Sequence, residues 1–230
     1  MVACLVTVRH MLAWHSVQRT NAKSRSIGLA EWSRQELAFL RKLKGPERIQ
    51  RFLDEEVNYN REKTGETVFS PRRVLQSRLA HCMEGALFGA AALEVLGYPP
   101  LLLDLEAERD DDHVLAVFRQ HRCWGAVAKS NYAGLRFREP VYRNLRELAI
   151  SYFEHYYNLR GEKSLRKYSR PVNLNRFNDI HWRTAQEDLW PIPRHLAVIA
   201  HTPLLSREAL LSLSRMDRRL FEAGLHGAAH

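Results

Sequence analysis

"HCMEGALFGAAALEVLG" occupies residues 81–97, and its reading decides the fold. Gly85, Ala86, Gly89, Ala90, Ala91 and Ala92 let neighbours approach closely, while Leu87, Phe88, Leu93, Val95 and Leu96 put apolar surface nearly all round. A helix that is apolar on every side belongs in a core. Gly97 ends it, and Pro99 and Pro100 bar its continuation. At its mouth stands Cys82. The first amide N–H groups of a helix are unpaired and carry partial positive charge. A thiolate there is stabilised, and its pKa falls from the free value of about 8.5 toward neutrality. A free cysteine by itself reads as a small, inert buried residue; the segments around this one give it a partner.

Downstream, residues 101–107 ("LLLDLEA") are short and apolar, as a buried strand is. After the charged turn 108–112, "HVLAVFR" (113–119) and "CWGAVAKS" (123–130) read as two further strands joined by a tight polar turn at Gln120–Arg122. "GLRFREPVY" (134–142) reads as a fourth, with Arg136 and Arg138 on its wet face. Asn144 caps an expected helix, "LRELAISYFEHYYN" (145–158), whose stripe of Leu145, Leu148, Ala149, Tyr152, Phe153 and Tyr156 is a core face. A rigid connector at 189–193 and a terminal amphipathic helix over 206–224 complete that half.

Upstream, Ser33 with Glu36 forms a capping-box pattern for a helix that stops at Gly45. Pro46 opens a second helix and Ser70-Pro71 a third. These patterns predict an α+β domain: a central Cys-led helix packed on an antiparallel sheet, with extra helices at both ends. Its expected extent is 29–230, comprising a core at about 70–143 and a C-terminal helical extension at about 144–226. Residues 1–28, with no Asp or Glu, read as a loose tail.

Composition narrows the function classes. With 45% hydrophobic residues over 230 positions, the chain has enough apolar surface for one sizeable core. No apolar run is long enough to span a bilayer. The cysteines, Cys4, Cys82 and Cys123, are odd in number and far apart, unlike a disulfide framework; a cytoplasmic setting is the simplest reading. The net charge of +9 attracts polyanions in general and hints at an acidic partner. The densest basic stretch, 160–170, lacks the aromatic pattern of an RNA-binding sheet and reads as solvated surface, which argues against nucleic acid.

A Cys-led helix, a strand, a His-led strand and a Trp-led strand follow one another in "HCMEGALFGAAALEVLGYPPLLLDL", "DDDHVLAVF" and "CWGAVAKSN". This order resembles the transglutaminase-like superfamily, within the papain-like group of cysteine enzymes, over roughly residues 70–131. The stretch onward through "GLRFREPVYRNLRELAISYFEHYYN" is similar to a bacterial branch of that superfamily.

The resemblance implies Cys82 as nucleophile and His113 as the base that takes its proton and later protonates a leaving group. The implied reaction is acyl transfer through a thioester, resolved by water (peptidase or amidase) or by an amine (transglutaminase), on a protein or peptide substrate and with no metal or organic cofactor. The alternative is a catalytically idle relative that keeps the fold as a protein-binding module.

The chain departs from the pattern at one place. Where the superfamily puts an Asp about four residues after the tryptophan, to orient the histidine, Ala128 stands. Ser130 falls opposite His113 if Arg119 pairs with Trp124, and Asn131 has the residue type that papain-like relatives use. Asp104 and Asp112 stay open, although a simple hairpin turns Asp104 away from His113. The expected oxyanion donors are the Cys82 backbone N–H and, by its separation from the cysteine, Gln76. His81 is expected to line the pocket or face solvent. A zinc site from His81, Cys82, His113 and Cys123 would lack the short paired spacing of structural sites.

Overall fold

The computed structural model describes residues 28–226; the expected tail over 1–28 lies outside them except for Gly28. Helices α1 (Arg34–Lys42) and α2 (Pro46–Glu55) come first, then the two-residue strand β1 (Asn58–Tyr59), α3 (Pro71–Ser77) and β2 (Leu79–Ala80). The Cys-led helix is α4 (Cys82–Val95). Strands β3 (Leu101–Ala107), β4 (His113–Gln120), β5 (Cys123–Val127) and β6 (Arg138–Tyr142) follow, then helix α5 (Leu145–Ile150). Strands β7 (Leu165–Ser169) and β8 (Val172–Asn173), helix α6 (Pro191–Val198), strand β9 (His201–Pro203), and helices α7 (Arg207–Leu211) and α8 (Arg218–Gly224) complete the chain.

The architecture is α+β around a seven-stranded antiparallel sheet of order β6-β5-β4-β3-β7-β9, with β8 beside the start of β3. The β4–β5 hairpin pairs Arg119 with Trp124 and turns through His121 and Arg122, both at positive φ (49° and 67°). Two such residues make the mirror-image turn whose twist suits a hairpin. One face of the sheet carries Leu102, Val114, Ala116, Phe118 and Val127 against α4, with α1, α2 and α3 outside it. The other face carries Leu103, Leu105, Leu115, Val117, Ala126 and Ala128 against Leu148, Tyr152, Phe153 and Tyr156.

From Met83 to Val95 every residue of α4 is buried. The small residues serve close approach: a Cβ on Gly89 would come within 3.0 Å of the Ala116 methyl and 3.2 Å of Val127 Cγ1. Two glutamates break the apolar surround, Glu84 at 0% and Glu94 at 1% exposure. Glu94 is satisfied by Arg183, itself fully buried, through Nε–Oε2 at 2.6 Å and Nη2–Oε1 at 2.8 Å. Glu31 and the side-chain oxygens of Asn178 and Asn175 take up further guanidinium N–H groups. This fork binds the carboxyl-terminal region to the core helix.

The carboxyl-terminal half departs from expectation. The extension is not simply helical, because β7, β8 and β9 widen the central sheet. The basic stretch 160–170 therefore holds a strand, whose Arg166 and Lys167 lie across from Glu108 (2.7 Å) and Glu106 (2.5 Å). Charge pairing between strands hid a β segment behind a solvated-looking composition. The expected 145–158 helix stops at Ile150, where Ser151 Oγ donates to the Leu148 carbonyl and Arg138 takes the Ser151 carbonyl. Arg138 thus turns inward, 3.9 Å from the Tyr152 ring centroid, instead of lying on a wet face. Arg136 turns toward Asp54, at 3.5 Å. The terminal helix is cut in two because Asp217 caps a new start at Leu220 N. The 189–193 connector is in part the first turn of α6.

Because removing Arg183 strands Glu94 in the core as an unpaired charge, Arg183→Ala is expected to cost about 3–5 kcal/mol. Denaturant unfolding should show a lowered midpoint, and an unchanged midpoint would contradict the fork's role.

Candidate functional site

The site forms where the mouth of α4 meets the first residue of β4. Cys82 is the first helical residue and partly accessible, so its backbone N–H is one of the donors a helix leaves unpaired. Its Sγ lies 3.9 Å from the Asp112 carbonyl oxygen, just ahead of β4. The imidazoles of both His113 and His81 lie close enough to the sulfur to act on it. Burial works to keep the thiol protonated, but His113 and then His81, by hydrogen bond and charge, bring it down to about 6.

His113 is 4% exposed and sits edge-on to the rings of Tyr152 and Tyr156, each 6.4 Å away between centroids. The aromatic stripe after α5, expected as core, therefore also walls the imidazole. His113 Nε2 donates to the backbone carbonyl of Leu135 at 2.8 Å. A carbonyl oxygen only accepts, so this bond fixes the proton on Nε2 and leaves Nδ1 with a lone pair to face the thiol.

A backbone carbonyl thus occupies the place in which the sequence suggested a side chain. Ala128, where the resemblance led one to expect an Asp, is fully buried, and both its backbone groups bond the Gln50 amide. The hairpin register does extrapolate to Ser130 opposite His113, but β5 ends at Val127 and Ser130 Oγ accepts from Tyr132 N at 3.0 Å. Asn131 stands half-buried at the start of the turn that delivers Leu135. Asp104 pairs in register with Val114 while His113 pairs with Leu105, so Asp104 faces away, toward His201 Nε2 at 2.9 Å. The Asp112 carboxylate accepts from Ala107 N. Gln76 is exposed on the last turn of α3, which leaves the Cys82 N–H as the oxyanion donor that the helix geometry supplies. Cys123 begins β5 opposite Gln120, at the far end of the hairpin from His113, so the four proposed zinc ligands do not converge.

Glu84 and Lys129 had no expected place near Cys82, and His81 was expected only to line the pocket or face solvent. His81 is not a bystander but the N-cap of α4: its Nδ1 accepts from Met83 N at 3.3 Å and its Nε2 donates to Thr67 O at 2.9 Å. Glu84, fully buried, accepts from His81 N, Phe69 N, Thr67 Oγ1 and Asn60 Nδ2 at 2.7–3.0 Å. Those bonds fold residues 60–69 over the mouth of the helix. Lys129, 5% exposed, donates from Nζ to Leu53 O and Val57 O, so it ties the end of β5 to the end of α2, and burial lowers it to about 8. The legible signal was His81-x-x-Glu84, a capping-box spacing with an unusual cap residue.

The pH dependence follows from the lowered thiol. Cys82 alkylation by iodoacetamide should rise with a midpoint near 6, so at pH 7 most of the thiol is ionised where an ordinary one is ionised to a few per cent. A rate–pH curve with an ordinary thiol midpoint would contradict the site as described. No family model matches the chain, and a search of curated proteins likewise finds no match.

Proposed function

We propose that this chain is a cysteine-dependent acyl-transfer enzyme of transglutaminase-like type, built on a papain-like core and acting on amide or ester bonds of a protein or peptide substrate. The observation that carries the reading is the ordered chain Cys82 thiol, His113 imidazole, Leu135 carbonyl. A nucleophile within hydrogen-bond reach of a base, with the base oriented by a third group, is the arrangement that activated nucleophiles need. In the triad enzymes the third group holds the tautomer and ring orientation, and a carbonyl at 2.8 Å can do both without carrying charge.

The steps then balance. His113 Nδ1 takes the Cys82 proton and the thiolate adds to the substrate carbonyl. The resulting oxyanion is stabilised by the Cys82 N–H at the helix mouth. Collapse breaks the acyl–leaving-group bond, with the proton returning from His113 to the leaving amine or alcohol, and leaves a thioester. Water or an amine, deprotonated by His113, adds to the thioester and expels the Cys82 thiolate. A neutral carbonyl stabilises the imidazolium less than a carboxylate would. The absence of a carboxylate behind His113 is also what favours the other reading, an idle relative serving as a protein-binding module.

p-Nitrophenyl acetate separates the two readings. The enzyme reading expects a burst of nitrophenolate equal to the protein present, none in Cys82→Ala, and a burst slowed about 10²–10⁴-fold in His113→Ala. A wild-type protein without a burst, or one whose burst survives Cys82→Ala, would overturn it. Incorporation of a fluorescent primary amine into a glutamine-containing protein then tells transfer from hydrolysis.

A further inference from the structure

The thiol touches two imidazoles, and the reaction above uses one. The second, His81, is arranged differently from the first. His113 has aromatic rings beside it and a carbonyl behind it. His81 has carboxylates behind it: Nε2 lies 2.9 Å from Thr67 O, 3.6 Å from Glu84 Oε1 and 3.7 Å from Glu62 Oε1. Everything that Nε2 faces at these distances accepts, so this nitrogen keeps its proton in every state. The other nitrogen, Nδ1, accepts from the Met83 N–H at a long 3.3 Å, and the ring is near enough to the Cys82 side chain to act on it.

Glu84, with its side chain 0% exposed, accepts four bonds that all come from N–H and O–H donors, so it is held fixed behind the imidazole. The order carboxylate, imidazole, thiol, which the chain lacks on the His113 side, is therefore present on the His81 side.

Building on the acyl-transfer reading, we propose that His81, backed by Glu84 and Glu62, is a second proton acceptor for Cys82 and keeps its sulfur ionised at rest. The Sγ–H bond breaks and an Nδ1–H bond forms, giving thiolate and imidazolium with no change in net charge. The Met83 N–H gives up its weak bond to Nδ1 in that state. The one thiol proton is shared between the imidazoles: held on His81 at rest, it returns through Sγ to His113 Nδ1 before the leaving group departs, and the titration belongs to the three groups together. In the same direction, burial opposes charge on His81, but the sulfur and then Glu84 raise it to about 9. The other groups near the sulfur include Tyr59 of β1, His113 of β4, Tyr156 after α5 and the backbone carbonyl of Asp112; burial, then Cys82, Asp111 and Glu62 drive the phenol of Tyr59 well above its usual range, and burial, Asp110 and Cys82 do the same to Tyr156.

The test uses the full chain and His81→Asn, since Asn is among the best helix caps and preserves the other task of His81. The iodoacetamide midpoint of Cys82 should rise by about one pH unit, tenfold in ionisation constant. His113→Ala should also raise it part way, and the double variant should raise it to the ordinary thiol value or above, because burial then acts with neither imidazole to oppose it. Glu62→Gln should give a smaller shift in the same direction. In the unmutated chain, ¹⁵N NMR should show His81 protonated on both nitrogens at pH 7.5, and on Nε2 alone in Cys82→Ser. A His81→Asn profile that superimposes on wild type, or a neutral His81 ring at pH 7.5, would overturn the proposal and leave the Cys82–His113 reading standing. A wild-type thiol with an ordinary midpoint would instead bring down both.

Discussion

The arrangement of this protein depends on two carboxylates inside a helix that has no solvent. Glu84 and Glu94 sit near opposite ends of α4, and both are buried. An unpaired charge at such depth costs several kcal/mol, so each acid must recruit enough donors to remain. Glu94 recruits Arg183 and, through it, the segment after β8. Glu84 recruits the backbone of Phe69 and His81 together with the side chains of Thr67 and Asn60. Electrostatic saturation thereby becomes tertiary structure: one acid fastens the distal end, and the other folds residues 60–69 over the end that carries the thiol.

The same logic links fold to chemistry at Cys82. The thiol is held at the start of a helix that cannot move, because small residues let β4 and β5 lie directly on it. The segment that Glu84 holds down brings Thr67 to His81, and the hairpin brings His113 from the other side. Each imidazole is oriented through its Nε2 by an acceptor from a different part of the chain, Leu135 or Thr67. The sulfur sits between two bases whose orientation owes nothing to one another. Rigid support of this kind is what a reactive thiol requires, since misplacement by an ångström costs far more rate than a changed side chain nearby.

The legibility of the sequence tracked the range of the interactions. Local patterns gave the Ser33 cap, the Gly97 stop, the β4–β5 hairpin and the pairing of Arg119 with Trp124, all of which the structure contains. Periodicity misjudged 145–158, because the helix ends where Ser151 and Arg138 capture its last carbonyls, a competition that spacing does not display. It missed β7 because Arg166 and Lys167 look solvated until Glu108 and Glu106 are placed across from them. The order of the chain singled out Cys82 and His113, and the structure brings the two together. The partner of His113 was not, since a backbone carbonyl has no letter.

By itself, the sequence determined a buried helix with a thiol at its positive end, a sheet to receive it and a histidine one strand away. Helix propensity, apolar periodicity and turn chemistry act over a few residues and can be read within those residues. Tertiary structure alone decided that Leu135 orients His113, that His81 faces the sulfur and that two glutamates survive in the core. These depend on which distant backbone oxygen or donor arrives at a given atom, and hydrogen bonds of that reach are fixed only when the whole chain has packed.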